Sequence, residues 1–179
     1  ATAVILAHSP CNDTQKSSEL YVVSRETNEV NLKIREERLE LKILLERKHG
    51  LELWNPAVVE NFPVEADLLR SEIFSAFKVE PPTFQRSAYD IPPFLKEIVD
   101  PVPALTKVQV TKERCKLMID DCMVELTDVE INGVPLKSIA IESEDIDTVL
   151  RVRHKLNLDG YANTSYVKAI KRVTNSLTE

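Results

Sequence analysis

The chain has 179 residues, of which 43% are hydrophobic and 29% are charged, and its formal net charge is −6. This composition is typical of a globular protein, and the length suffices for one domain or at most two small ones. The negative charge argues against non-specific binding to a nucleic-acid polymer. The chain has three glycines and neither glycine-rich phosphate-loop motif, which excludes that class of nucleotide site.

Cysteine content and hydropathy bear on the compartment. Cys11, Cys115 and Cys122 form no Cys-x-x-Cys pair, so we predict the cytoplasm or another reducing intracellular compartment rather than secretion. No run of about 18 apolar residues occurs, and we therefore predict no membrane span. The opening ATAVILA is short and has no basic leader, so it is not interpreted as a signal peptide.

The predicted elements are typical of an antiparallel sheet with helices around it. Residues 1–18 are weakly patterned and predicted to be irregular. Alternation and β-branched content predict strands at 19–24, 28–35, 38–46, 50–56, 107–119, 122–131 and 136–142. Helical periodicity predicts helices at 62–77, 90–99, 143–156 and within 163–179, with Asp90, Ser143 and Asn163 capping the last three. Without βαβ alternation, a fixed repeat or a linker, the chain is predicted to be a single α+β domain over 1–179, an antiparallel sheet or barrel with helices around it.

The stretch VNLKIREERLELKIL, residues 30–44, alternates between apolar and polar side chains on both sides of an acidic break. A two-residue turn at 36–37 places the polar side chains on one face, in the opposing pairs Arg35–Arg38, Lys33–Glu40 and Asn31–Lys42. Leucine and isoleucine occupy the other face. The like-charged pair is unfavourable by itself, and a bound anion would relieve it.

A second hairpin, folded at Asp120-Asp121, repeats this arrangement. Its charged face carries Lys112, Arg114, Lys116, Glu125 and Thr127, with Lys116 opposite Glu125. On the reverse face Cys115 lies opposite Leu126 rather than Cys122, so the hairpin implies no disulfide between its own two cysteines.

Two interpretations of the charged faces stay open. One side of an antiparallel sheet is often solvated, and charged residues belong there. Alternatively, the two faces line the lumen of a barrel, where buried charges need partners. A polyanion with a divalent metal would provide them, since Lys and Arg bind phosphate oxygens and carboxylates bind the metal. The repetition of Lys-x-Arg with a glutamate on the same face favours the lumen.

Together these segments resemble the CYTH superfamily, the triphosphate tunnel metalloenzymes. The motifs are VNLKIRE with LELK, VTKER with VELTDVEI, and SIAIE, in that order over roughly 19–170. The resemblance implies an eight-stranded antiparallel barrel with a lumen of Lys, Arg and Glu. The superfamily includes thiamine, inorganic and RNA triphosphatases and one class of adenylate cyclase.

The resemblance also implies residue roles. The residues expected to bind phosphate by resemblance are Lys33, Arg35, Lys42, Lys112 and Arg114, and Lys116 is added because it shares the charged face of the second hairpin. The residues expected by resemblance to hold Mg²⁺ or Mn²⁺ are Glu125 and Glu142, and Glu40 is added because it lies on the charged face of the first hairpin. A water molecule oriented by the metal would then attack the terminal phosphoryl group, with charge neutralisation providing most of the catalysis, and no further catalytic residue is assigned. The implied partner is a small phosphorylated anion, and no oligomeric state is predicted.

The sequence departs from the family motifs at two places, and these departures leave two hypotheses for the function. The first-strand Glu-x-Glu-x-Lys motif, expected close to or upstream of residue 1, is not present, and the late strand has Ala140-Ile141-Glu142 in place of Glu-x-Glu. The first hypothesis is a metal-dependent triphosphatase. The second is a non-catalytic barrel that binds a polyanion or serves as a scaffold for a protein partner.

Overall fold

A computed structural model of the chain describes residues 1–8, 10, 11 and 13–174. In this part of the chain the main sheet has seven strands in the order β4-β3-β2-β1-β7-β8-β9. The strands are Gln15–Ser24 (β1), Val30–Arg35 (β2), Arg38–Lys48 (β3), Leu51–Asn61 (β4), Leu105–Ile119 (β7), Cys122–Ile131 (β8) and Val134–Glu142 (β9). A second, two-stranded sheet pairs Val64–Glu65 (β5) with Ala88–Tyr89 (β6). The predicted α+β class and antiparallel sheet are confirmed. The main sheet has seven strands in the described part of the chain, whereas about eight were expected.

The described part of the chain has five helical segments. They are Thr2–His8 (α1), a continuous run of Ala66–Leu68, the π-helical Leu69–Phe74 and Ser75–Phe77 (α2), Ile91–Pro93 with the π-helical Phe94–Val99 (α3), Ile146–Lys155 (α4) and Tyr166–Val173 (α5). The segment 1–18, predicted to be irregular, thus contains α1 and the start of β1. Residues 9 and 12 of that segment, and 175–179 of the predicted C-terminal helix, lie outside the described residues.

The chain divides into two compact units. Unit 1 comprises residues 1–18 and 110–163, and unit 2 comprises 19–109 and 164–179. The strands β1 and β7 contribute residues to both units.

The two charged hairpins have the predicted register. In unit 2, β2 and β3 pair Lys33 with Glu40 and Arg35 with Arg38 around a turn at Glu36-Glu37. Both turn residues have positive φ, 50° and 59°, which is the geometry of the tight turn that matches strand twist. In unit 1, β7 and β8 turn in the same way at 120–121, with φ of 48° and 62°. Two-residue turns therefore fix which side chains share a face.

The core of unit 2 lies under the apolar face of the first hairpin. Burial alternates along β2, and Leu32, Leu39 and Leu41 are at most 1% exposed. They belong to one hydrophobic cluster with buried residues of α2 and α3, including Phe77 and Ile98. Burying such side chains contributes about 1.5–3 kcal/mol each, which holds the opposite, charged face in position.

Two lysines attach α5 to unit 2. Lys171 is 1% exposed, and its Nζ donates to the Thr27 carbonyl oxygen at 2.7 Å. Burial lowers the pKa of Lys171, and the charge of Glu26 partly offsets this effect. Lys168 Nζ lies 2.6 Å from Glu52 Oε1. The cap of α5 is Ser165, which accepts from the Lys168 amide, rather than the predicted Asn163.

In unit 1, α4 packs against β8 and β9 through a face that buries Val149 and Val152. Its cap is Asp145, whose carboxylate accepts from the amides of Asp147 and Thr148, rather than the predicted Ser143. Hydrogen bonds to the Thr148 hydroxyl and to the two amides lower the pKa of Asp145. Asp90 precedes α3 as predicted, but its side chain makes no capping hydrogen bond.

The cysteines bear on the predicted compartment. Cys115 lies opposite Leu126 as expected, but it forms a disulfide with Cys11 in unit 1, across 104 residues of chain. Cys122 is a buried free thiol. The disulfide is at odds with the predicted reducing compartment, where such bonds are rare.

Among the described helices, none has the length and apolar character needed to cross a membrane.

Candidate functional site

In unit 2, three cations converge on one carboxylate. Glu40 Oε1 accepts from Arg35 Nη2 at 2.8 Å and from Arg38 Nη2 at 2.8 Å, and Arg38 Nε is 3.2 Å from the same oxygen. Lys33 Nζ lies 3.2 Å from Glu40 Oε2. We call Lys33, Arg35, Arg38 and Glu40, together with Glu19, the Glu40 cluster. Glu40 therefore relieves the repulsion between the two opposing arginines within the chain itself.

Glu19 is the member of the cluster that the sequence prediction missed. It lies on β1, which pairs with β2 so that Tyr21 is opposite Lys33. Its side chain is fully buried, accepts from Tyr21 Oη at 3.0 Å, and lies 3.7 Å from Lys33 Nζ and 3.7 Å from Arg35 Nη1. The strand that neighbours β2 thus carries one acid, whereas the resemblance placed its acids near or before residue 1. The sequence did contain a signal for Glu19, because the Glu-x-Tyr spacing in ELYVVS places Glu19 and Tyr21 on the same face of the strand.

The electrostatics of Glu40 follow from its surroundings. Burial is the largest influence and raises its pKa, but the hydrogen bond from Arg38 and the charges of Lys33 and Arg35 outweigh it, so the pKa lies below its ordinary value. Arg35 has one buried hydrogen-bond donor, its Nε, that has no acceptor among the described residues. The cluster thus stabilises an anionic oxygen.

We expect Glu40 to make folding sensitive to acid. Because its pKa is lower in the folded state, its contribution is present above the unfolded pKa, near 4.3, and is lost as pH falls through the folded value. Urea unfolding between pH 6 and pH 3 should show a smaller loss of stability in Glu40→Gln than in the wild type. Other carboxylates titrate in both proteins and cancel in the difference, so equal slopes would contradict this role.

Lys42, the remaining predicted phosphate ligand of unit 2, stands apart from these contacts. The register places it opposite Asn31 on one side and Pro56 on the other. Its side chain is exposed, two residues beyond Glu40 on the same strand. Among the residues that the structure describes, the Lys42 ammonium group makes no ion pair.

In unit 1, the predicted residues share one face of a three-stranded ladder. The register pairs Lys112 with Val129, Arg114 with Thr127 and Lys116 with Glu125. Lys112 is 5% and Arg114 is 8% exposed, whereas Lys116 is exposed. We call Lys112, Arg114, Lys116, Glu125 and Thr127 the Arg114 face. Two of its cations are thus buried, whereas the cations of a fully solvated sheet face would be exposed to water.

Arg114 is held by hydroxyl and carboxylate groups of unit 1. Its Nη1 donates to Ser17 Oγ at 2.6 Å, and its Nε lies 3.4 Å from Glu125 Oε1. The same Glu125 oxygen accepts from Thr127 Oγ1 at 2.8 Å. Ser17 was not predicted, since its approach to Arg114 depends on a contact across 97 residues. These contacts hold the guanidinium group of Arg114 in place on this face.

The three predicted metal ligands differ in their surroundings. Glu40 is engaged by three cations, as described above. Glu125 and Glu142 lie on the same face of β8 and β9, because Glu125 is opposite Ala140 and Glu142 is opposite Met123. No group of three or more His, Cys, Asp or Glu able to hold a metal ion occurs within the described residues. In the described part of the chain, Glu125 and Glu142 are thus two carboxylates on one face of the sheet.

Comparisons with known proteins bear on the fold. No protein-family model and no curated protein matches the chain. Among solved structures, the chain is similar to a candidate adenylate cyclase from Bacillus halodurans, with a TM-score of 0.52 and 9% identity, over 94% of this chain and 88% of that one. At this identity the likeness shows the fold alone, and the fold agrees with the one that the motifs imply.

Proposed function

We propose that the chain binds a small phosphorylated anion, of the triphosphate class, through its Lys- and Arg-bearing faces. The observation that carries the proposal is the burial of Lys112 and Arg114, two residues apart on one strand. Lysine and arginine side chains on one face bring charged N–H donors together, which is the chemistry that phosphate oxygens accept from. The name of the fold neighbour, an adenylate cyclase, is consistent with a phosphorylated ligand.

In this proposal the phosphate-binding residues are those of the two hairpins. They are Lys33, Arg35 and Lys42 in unit 2 and Lys112, Arg114 and Lys116 in unit 1. Arginine offers paired N–H donors to phosphate oxygens, and lysine offers a mobile point charge. A net charge of −6 makes a small anion a better partner than a nucleic-acid polymer. Location in a reducing compartment also remains a proposal, and the Cys11–Cys115 disulfide is evidence against it.

The proposed cation is Mg²⁺ or Mn²⁺, and it enters together with the anion. Mg²⁺ in phosphate sites is commonly held by one or two carboxylates plus the phosphates themselves. Glu125 and Glu142, on one face, fit this requirement, and Glu40 is the third predicted ligand. Bound there, the cation would neutralise phosphate charge.

Hydrolysis of the anion is the finer proposal, and a non-catalytic anion-binding module is the second candidate. The observation that favours the module is the engagement of the acids: Glu40 and Glu19 neutralise lysine and arginine side chains in unit 2. Calorimetric binding of tripolyphosphate without phosphate release, in Mg²⁺ or Mn²⁺, would support the module. Metal-dependent phosphate release would support the enzyme.

We expect Lys33→Ala and Arg114→Ala each to weaken tripolyphosphate binding about tenfold, since each removes one charge-assisted contact. Isothermal titration calorimetry measures the affinity directly, and thermal unfolding verifies that each variant is folded. Lys137→Ala is the matched control, because Lys137 is an exposed lysine in a surface ion pair with Asp128. Equal affinities in all four proteins, or no binding by the wild type, would contradict the proposal.

A further inference from the structure

The Glu40 carboxylate lies where several donors meet. Arg35 and Arg38 both donate to its Oε1, and Arg38 does so through Nε and Nη2 together. Lys33 approaches its other oxygen at 3.2 Å. Converging guanidinium N–H groups with a nearby ammonium are the arrangement that proteins use to receive a phosphate or carboxylate oxygen. A side-chain carboxylate thus fills a subsite suited to a ligand oxygen.

The arrangement is local to one hairpin. Arg38 and Glu40 are two residues apart on β3, and the register places Arg35 opposite Arg38 and Lys33 opposite Glu40. Because the carboxylate is tethered to its own binding groups, its effective concentration at the subsite is high. An external anion must therefore compete with it.

We infer that Glu40 is an internal competitor of the anion that this face binds, and that Arg38 is an additional anion-binding residue. The inference rests on the proposed function, because it concerns the occupant of the same site. When the anion arrives, Glu40 moves aside and its three cations transfer to ligand oxygens. In the absence of ligand, Glu40 thus offsets part of the positive charge of the site.

Exposure distinguishes Glu40 from Glu19 in this role. Glu19 is fully buried and is further held by Tyr21 Oη, so it stays with the fold. The side chain of Glu40 is 11% exposed, and those of Arg35 and Arg38 are 27% and 39% exposed, so this side of the cluster is open to a ligand. The buried Nε of Arg35, which has no acceptor in the described part of the chain, is an additional donor.

Charge gives the direction of the expected effect. The cluster has three cations and two carboxylates, which leaves one positive charge in the ligand-free state. Glu40→Gln doubles that charge and removes the competitor, so anion affinity should rise. A metal ligand at this position would behave in the opposite way, because losing it would weaken a metal-dependent complex.

The test is calorimetric titration with tripolyphosphate, first in EDTA and then in Mg²⁺. We expect Glu40→Gln to bind about tenfold more tightly than the wild type in both buffers. Arg38→Gln should bind several-fold more weakly. The matched control is Glu37→Gln, which makes the same change in net charge at an exposed turn residue of the same hairpin. A tenfold gain in the control as well would overturn the inference, since general electrostatics would then explain it.

The remaining outcomes separate the inference from the proposed function. Binding by the wild type with equal or weaker binding by Glu40→Gln would overturn the inference and leave the proposed function standing. Absence of binding in both proteins would overturn both. Should Glu40→Gln fail to fold, Glu40→Asp retains the charge and withdraws the carboxylate by one methylene, and an intermediate gain in affinity is expected from it.

Discussion

Replacing Cys11 by serine is expected to lower the free energy of unfolding by about 4 kcal/mol. The Cys11–Cys115 disulfide closes a loop of 104 residues, and a cross-link across a loop of that length removes much of the conformational freedom of the unfolded chain. The bond also fastens the segment before β1 to β7, where Lys16 pairs with Glu113 at 3.3 Å. Urea unfolding monitored by circular dichroism measures the change.

A reductant provides the internal control for this experiment. Reduction should destabilise the wild type and Cys122→Ala by the same amount, because Cys122 is a free thiol. It should leave Cys11→Ser unchanged, since that variant has no disulfide to lose. Thiol labelling of the unfolded, non-reduced wild type should modify Cys122 alone. If the reductant does not change the free energy of unfolding of the wild type, the assignment of the disulfide is contradicted.

Replacing Glu19 by alanine is expected to lower the stability of the fold by about 3–5 kcal/mol, the usual effect of removing one partner from a buried ion pair. Its fully buried carboxylate lies 3.7 Å from both Lys33 and Arg35, whose side chains are 14% and 27% exposed. Without it, Glu40 alone faces three cations. The same chemical unfolding experiment reports the effect.

Two further variants divide the contribution of Glu19. Tyr21→Phe removes the hydroxyl that donates to Glu19 and should cost about 1 kcal/mol. Glu19→Gln keeps an acceptor for that hydroxyl and loses the charge, so its cost should lie between those of Tyr21→Phe and Glu19→Ala. Should Glu19→Ala cost no more than Tyr21→Phe, the ion pairs would contribute nothing measurable.

Local sequence patterns predicted the hairpins well. All three opposing pairs of the first hairpin and the Lys116–Glu125 pair of the second are confirmed. They depend on a two-residue turn and on the twofold alternation of side chains, which short stretches of sequence contain. Helix caps were displaced by two residues, from Ser143 to Asp145 and from Asn163 to Ser165, because each segment offers several residues able to cap.

Contacts between distant segments were not predicted. Glu19 joins Lys33 only after β1 and β2 pair, and Cys11 lies in a segment without a clear pattern. The contact of Lys168 with Glu52 spans 116 residues. Strand β4 was predicted to end at Asn55-Pro56 but continues to Asn61, because β3 pairs with it beyond the proline through a register shift. Tertiary pairing, rather than local propensity, determines such features.

The proline within β4 has a consequence for the behaviour of the chain at high concentration. Strand β4 is at one end of the described sheet order, and edge strands are templates for pairing with another molecule. Its Leu53 and Val59 are 55% and 53% exposed, which would favour such contacts. Pro56, between them, has no backbone N–H to donate, and proline is one of the devices by which edge strands avoid such pairing. We therefore expect the residue that complicated the strand prediction to make this edge a poorer template for self-association.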